Sequence, residues 1–280
     1  MRSRRARPTN TDLRRLVEDR TRGSLEIFEE ALILLGRSED PCRDARVLRE
    51  AHPEMTALEY LEMAACSGSL HKLREFYGRS KEELASTCSK LLSELGIEVI
   101  ATLSRSSAVI NCLMRSPASE VIVGESRPGR EGLKTAEILR DAGFKVTLVV
   151  DALLPWYSKR RGAVGLVGAD RVTPSHLINK AGTLPLATLI RTIAVPGLLK
   201  LHRGEYTIER RDPREVAVLE GVEVVNIYFD ETPLNSLHRL VFEGLVLEPK
   251  EIGKAFEKLE MVLGIKAGGG SSGRNLSQRR

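Results

Sequence analysis

The chain has 280 residues, 42% of them hydrophobic and 29% charged, which is enough to bury a core without metal or crosslinks and fits one large domain or two modest ones. Its formal charge of +5 sits at the two ends: residues 1–15 carry +5 and residues 267–280 carry +3, which leaves the body at −3 and argues against a basic groove for nucleic acid. No run of about 18 uninterrupted apolar residues exists, since Leu184 to Leu201 contains Arg191 and Pro196, and no apolar run follows the basic N-terminus, so neither a membrane span nor a secretory signal is expected.

The first part of the chain reads as helix. Leu25, Phe28, Ala31, Leu32 and Leu35 recur at helical spacing and stop at Gly36. Leu58, Leu61, Met63, Ala64 and Ala65 form another apolar face, and Lys81 to Leu95 is a third helix closed by Gly96. Strand-like patterns begin only near residue 97, so residues 16–95 are expected to form a helical domain after a basic segment, 1–15. Short apolar runs then alternate with helical ones. Strands are expected at Glu98–Leu103, Glu120–Gly124, Lys145–Val150, Gly165–Gly168, Val195–Leu199 and Val222–Ile227, and helices at Ser106–Met114, Glu131–Ala142, Leu184–Ile193 and Ile252–Leu263. Nearly continuous apolar strands separated by helices imply a parallel sheet covered on both faces. Residues 97–265 are therefore expected to be a doubly wound, Rossmann-like α/β domain. Its ligands belong at the carboxyl ends of the strands. The glycine- and serine-rich tail, 267–280, is expected to be disordered.

Cys42, Cys66, Cys88 and Cys112 lie 22–24 residues apart with no CxxC pair. Neither a zinc site nor a dense disulfide framework is indicated, and reduced thiols in a cytoplasm are expected.

Four polar clusters stand at the strand ends. Thr102-Leu103-Ser104-Arg105-Ser106-Ser107 opens a helix with hydroxyls and a guanidinium, a setting that favours an anion. The plainer reading is a serine N-cap with a solvent-facing arginine. Gly124 to Gly132 lacks the GxGxxG fingerprint of dinucleotide binding, but its glycines allow close backbone approach and Arg127 and Arg130 can fork onto phosphate. In Gly168-Ala169-Asp170-Arg171, a carboxylate just past a buried strand could be desolvated into an acid–base range, or could cap the next loop or pair with Arg171. Asn179-Lys180-Ala181-Gly182-Thr183 places an amide and an ammonium before a helix that Thr183 would cap. Together the clusters suit a small polyanion bearing phosphate and hydroxyl groups, with no metal or cofactor.

Glu125-Ser126-Arg127-Pro128 with Gly132, Asp151-Ala152, Gly168-Ala169-Asp170-Arg171, Asn179-Lys180-x-Gly182-Thr183 and Phe229-Asp230-x-Thr232-Pro233 occur in an order and spacing that resembles the translation initiation factor 2B alpha/beta/delta family. That family also contains methylthioribose-1-phosphate and ribose-1,5-bisphosphate isomerases. Asp19 to Ser24 resembles its N-terminal signature. The resemblance covers about residues 10–263 and implies a helical domain on a Rossmann-like one, dimerisation through the latter, and a pocket between them for a sugar phosphate or nucleoside monophosphate. It implies ligand contacts from Arg22, Gly23, Ser104, Arg105, Arg127, Asn179 and Lys180. The isomerases of the family use a cysteine and an aspartate. Asp170 matches the aspartate, but Ser104 stands where the cysteine belongs, and a hydroxyl is far harder to deprotonate than a thiol. Cys112, eight residues on and about 12 Å along a helix, is no substitute. His176 reads as a loop residue. The resemblance thus implies a non-catalytic subunit of the regulatory guanine-nucleotide exchange factor type, cytoplasmic, oligomeric, with a phosphorylated small molecule and translation initiation factor 2 subunits as partners. The alternative is an aldose–ketose isomerase using Asp170. Specific nucleic-acid binding is not expected.

Overall fold

A computed structural model of the protein describes residues 10–19, 24–53, 55–204, 206–207 and 209–264. Residues 1–9, Arg22, Gly23 and the tail 267–280 lie outside the described residues. Helices come first: α1 (Asn10–Glu18), α2 (Ser24–Leu35), α3 (Pro41–Ala51), α4 (Thr56–Cys66) and α5 (Leu70–Glu94). Helix α2 buries Ile27, Phe28, Ala31 and Leu35 and stops before Gly36 as its spacing implies, and the Arg74 guanidinium donates to the Leu32 carbonyl of its last turn at 2.9 Å. Asp40 caps α3 by accepting the Arg43 N–H at 3.0 Å, with Pro41 in the first turn. Helix α5 starts at Leu70 and not at the expected Lys81: Leu73, Phe76, Leu84, Cys88 and Leu91 share one buried face across the interior Gly78, a weak helix former that obscures the continuity. Gly96, at φ +61°, closes it.

The chain then alternates: β1 (Val99–Thr102), α6 (Ser107–Leu113), β2 (Glu120–Gly124), α7 (Glu131–Asp141), β3 (Lys145–Val149), α8 (Leu154–Arg160), β4 (Val164–Val167), β5 (Arg171–Val172), β6 (His176–Lys180), α9 (Thr183–Leu189), β7 (Thr192–Ala194), β8 (Phe229–Pro233), β9 (Arg239–Phe242), β10 (Leu245–Leu247) and α10 (Ile252–Leu263). Seven strands form the main sheet in the order β10-β9-β7-β4-β1-β2-β3, parallel except for β10. Each inner strand sends alternate side chains to opposite faces. Ile100, Val121, Val123, Leu166, Ile193 and Val241 pack with α5, α6 and α7. Ala101, Ile122, Val167, Ala194, Leu240 and Phe242 pack on the other face in the apolar cluster that contains the N-terminal helices, α8, α9 and α10. The mixed α/β class with a helical N-terminal region is as expected. The order reverses at β1 and β4, so loops from the carboxyl ends of these two strands diverge around a crevice.

Several expectations fail for identifiable reasons. The strand expected at Val195–Leu199 is instead Thr192–Ala194, and the helix expected to reach Ile193 ends at Leu189. The apolar run from Leu184 to Leu201 is nearly continuous, so periodicity cannot locate the break. Pro196 and Gly197, at φ +72°, turn the chain where a strand was expected. Val222–Ile227 is not a strand: Val222 and Val225 are exposed, and only an isolated bridge joins Ile227 to Arg210. A second sheet, β5-β6-β8, is antiparallel and was not expected; it joins Asn179 to Asp230, 51 residues apart. The reduced-thiol expectation is overturned. Cys42–Cys66 joins α3 to α4, and Cys88–Cys112 joins α5 to α6, because helix packing brings together positions that no local spacing relates. His176 begins β6, with its Nδ1 2.9 Å from the Ser175 hydroxyl.

Beyond β9, the buried Glu243 carboxylate accepts the Leu198 N–H at 2.8 Å. Burial, reinforced by the charge of Glu83, lifts its pKa from 4.5 to about 7. Between these values the unfolded chain releases a proton that the folded chain keeps, so the fold loses stability as pH rises through this window and stays at the lower level above it. Thermal melts should show wild type losing about 2–3 kcal/mol relative to Glu243→Gln between pH 4.5 and 8; parallel profiles would refute this assignment. Each disulfide spans a separation of 24 residues, which constrains the unfolded chain by about 3 kcal/mol. Replacing Cys88 and Cys112 together by serine should lower the melting temperature by about 5–10 °C, and thiol titration of the unreduced, denatured protein should find no free thiol.

Candidate functional site

One wall of the crevice is built by three loops, after β1, β2 and β3, tied to one another. After β1 the backbone turns at Ser104, whose φ of +64° is unusual for a residue with a side chain. Its N–H donates to the Ser126 hydroxyl at 2.6 Å, and its carbonyl accepts the Thr135 hydroxyl of α7 at 2.8 Å. After β2 the chain turns at Ser126, φ +67°, and the N–H groups of Ser126 and Arg127 donate to Asp151 Oδ1 and Oδ2 at 2.7 and 2.6 Å. Asp151, just beyond β3, thus clamps the loop with both carboxylate oxygens. Gly132 lets α7 close onto the end of β2: a Cβ there would lie 1.9 Å from the Gly124 carbonyl oxygen. Gly168 likewise lies against Ser106, whose Oγ would be 2.5 Å from an added Cβ.

This packing brings Ser104 and Lys180 onto one carboxylate. The Ser104 hydroxyl donates to Glu131 Oε1 at 3.2 Å, and Lys180 Nζ lies 2.9 Å from the same oxygen. Lys180 is 1% exposed, and its ammonium stands 4.6 Å from the centre of the Tyr228 ring. Its contact with Glu131 is an ion pair outside hydrogen-bond geometry, so its N–H groups have no well-aligned acceptor. Asn179 is buried beside it and donates from Nδ2 to the Thr183 hydroxyl at 2.9 Å; that hydroxyl donates to the Lys180 carbonyl at 2.7 Å. Thr183 was expected to cap α9, but the N-cap is Gly182, at φ +109°. The Asp230 carboxylate of β8 takes the capping role by accepting the N–H groups of Gly182 and Leu184 at 2.8 and 3.1 Å.

Asp170 follows β4, held by its N–H to the Ile178 carbonyl at 2.9 Å. The residue is solvent-exposed, with neighbouring protein crowding its carboxylate. Desolvation raises its pKa and Glu131 adds to the rise, while Lys200 and Lys180 oppose it. Lys200 is the counterpart: burial lowers its pKa, with Arg171 adding to that and Asp170 opposing. Asp170 was offered Arg171 as a partner, but Arg171 turns to the helical region and donates from Nε to the Thr56 hydroxyl at 3.2 Å.

The remaining sequence-predicted residues lie further out. Arg105 is exposed, with its guanidinium 4.0 Å from Glu26. Arg127 is exposed and anchored through its backbone; Arg130, at φ +58°, is the exposed N-cap of α7. Ser106 caps α6. Arg22 and Gly23 lie outside the described residues. Sequence reasoning gave no role to Glu131, Asp151, Lys200 or Asp230. Glu131, Asp151 and Asp230 stood inside motifs already singled out; Lys200 follows an apolar run and carries no local signal.

Cavity size alone does not single the site out. A cavity of about 50 Å3 beside Lys200 runs between Tyr77 and Lys81 of α5 and Asn111 of α6, room for a water or two. One of about 380 Å3 lies by Thr173, His176, Arg203 and Tyr206. The convergence of Ser104, Glu131, Asp170, Lys180 and Lys200 marks the candidate site more strongly, since opposed charges at a strand-order reversal require organised chemistry and an open hollow does not. Among the described residues, no group of three or more His, Cys, Asp or Glu side chains could hold a metal ion. No helix among them is long and apolar enough to cross a membrane.

Comparisons agree with this architecture. Residues 5–249 match the model of the Initiation factor 2 subunit family. A Pyrococcus furiosus protein named translation initiation factor eIF-2B subunit 2-like is 33% identical over 226 residues, covering 74% of this chain and 81% of that one. A ribose 1,5-bisphosphate isomerase of Archaeoglobus fulgidus is 29% identical over 221 residues, covering 69% and 70%. The fold is similar to the crystal structure of the Pyrococcus horikoshii OT3 translation initiation factor eIF-2B, at a TM-score of 0.68 and 24% identity over 86% of this chain and 97% of that one. It is equally similar, at 0.68 and 18% identity over 90% and 87%, to the 5-methylthioribose 1-phosphate isomerase of the same organism. Sequence and fold together establish that this chain belongs to the initiation factor 2 subunit family.

Proposed function

We propose that this chain is an initiation-factor-2B-like subunit that binds a phosphorylated metabolite, a sugar phosphate or nucleoside monophosphate, without turning it over. The observation that carries this reading is the absence of a thiol beside Asp170. Ser104 stands where the isomerase branch has its cysteine, its hydroxyl donates to Glu131, and all four cysteines are paired in disulfides. Cys112 lies under α5, locked to Cys88. A hydroxyl whose proton is directed at a carboxylate is a hydrogen-bond donor and a poor base at neutral pH.

In this reading Lys180, Asn179, Arg127, Arg22 and Gly23 contact the ligand, Ser104 and Arg105 stand at the entrance of the same site, and Asp170 orients ligand hydroxyls. The chain works as a homodimer or larger assembly that engages translation initiation factor 2 subunits. The likeness to the Pyrococcus furiosus protein supports this assignment.

One observation favours the isomerase reading. Desolvation raises the Asp170 carboxyl above the ordinary aspartate range, with Lys200 and Lys180 opposing, which is the direction a proton-transferring carboxylate requires.

Two measurements decide. Calorimetry should detect binding of at least one of ribose 1,5-bisphosphate, ribose 5-phosphate and AMP, weakened about 10- to 100-fold by Lys180→Ala through loss of a charge-assisted contact; silence with all three would sink the ligand reading. A coupled aldose–ketose assay with ribose 1,5-bisphosphate should show no turnover above background. Turnover abolished by Asp170→Asn would replace the non-catalytic reading with the isomerase.

A further inference from the structure

Glu131 occupies a position built for an oxyanion. Its Oε1 receives the Ser104 hydroxyl at 3.2 Å and lies 2.9 Å from the fully buried ammonium of Lys180. It stands at the first residue of the 11-residue helix α7, whose N-cap, Arg130, supplies no side-chain cap. A hydroxyl, a desolvated ammonium and the positive end of a helix are what a phosphate oxygen would be offered. The Lys180 N–H groups have no aligned acceptor, so the ammonium is neutralised in charge but unsatisfied in hydrogen bonding. An ammonium buried this deeply is costly unless a better set of acceptors can reach it. The other carboxylate oxygen rests against Gly129: a Cβ there would lie 2.7 Å from Oε2. The side chain is therefore seated at both oxygens, yet it remains partly exposed at 29% and has room to leave.

We infer that Glu131 is a resident carboxylate that sets the anion selectivity of this site: a phosphate monoester reaches Lys180 and Ser104 only by displacing the Glu131 side chain. This rests on the metabolite-binding reading above and adds a specificity-determining residue to it. A carboxylate and a phosphate dianion repel one another at this range, so Glu131 weakens phosphate binding and leaves uncharged hydroxyl ligands comparatively unaffected. Lys180 is the group for which they compete.

Calorimetric titration with inorganic phosphate, ribose 5-phosphate and ribose tests this on wild type, Glu131→Gln and the double variant Glu131→Gln/Lys180→Gln. Glu131→Gln should bind both phosphates at least about tenfold more tightly, with ribose affinity changed by less than about threefold, and the double variant should lose the gain. Gly129→Ala is the companion variant. It keeps the carboxylate but crowds Oε2 out of its seat, so it should also tighten phosphate binding, by less. It serves alone if Glu131→Gln does not fold. Wild type that binds phosphate while Glu131→Gln binds equally or more weakly would overturn the role of Glu131 and leave the metabolite reading standing. Binding only in Glu131→Gln would uphold the role of Glu131 and overturn phosphate binding by the native chain. Absence of binding in every variant would overturn both.

Discussion

Helix α7 reaches the end of β2 only because Gly132 has no side chain. Its Cα sits so close to the Gly124 carbonyl that any Cβ would overlap it, and much of the crevice depends on that contact. The approach delivers Thr135 to the Ser104 carbonyl and Glu131 to the Ser104 hydroxyl, while Ser126, folded between them, receives the Ser104 N–H. Two residues with side chains are held at positive φ within this contact, Ser104 and Ser126. Such conformations cost about 1–3 kcal/mol each and persist only where the surroundings impose them. Asp151 imposes one of them through its two hydrogen bonds to the loop.

Around that contact the molecule balances charge in pairs. Glu131 faces Lys180, and Asp170 feels Lys200, with Glu131 and Lys180 pulling the Asp170 carboxyl in opposite directions. The small antiparallel sheet serves this arrangement. It positions Asn179 and Lys180 on β6 and braces them with β8, whose Asp230 holds the start of α9. The motif Phe229 to Pro233 thus acts as a support under the site's cationic edge, through backbone pairing and one capping carboxylate.

Legibility in the sequence tracked the range of the forces involved. Strand β2 could be read to the residue because it is buried on both faces and bounded by polar residues. Helix α10 was equally plain from its spacing. The junction of α9 and β7 was hidden because both are apolar and nearly contiguous, and the turn at Pro196 and Gly197 comes only after β7 has ended. The β6–β8 pairing, the two disulfides and the reach of Arg171 to Thr56 join residues distant in the chain, and no local pattern encodes them. Within the candidate site, Ser104, Asp170, Asn179 and Lys180 stand out in the sequence because polar residues at the ends of buried strands need a reason. Glu131 does not stand out, since an acidic residue in the first turn of a helix is already accounted for by the helix dipole. Its contacts with Ser104 and Lys180 exist only once those residues are brought to it in space.

The Cys88–Cys112 link has a mechanical consequence. It fastens α5, the longest helix of the N-terminal region, to α6 on one face of the main sheet. The crevice loops open at the carboxyl ends of β1 and β4, and α5 carries Tyr77 and Lys81 along the neighbouring cavity, about three and two turns before Cys88. A covalent pin at that point makes α5 a lever with its fulcrum at the α5–α6 seam. Around the pin, α5 can shift against α6 only by pivoting. The travel is smallest at the pin and grows toward the N-terminal end of α5.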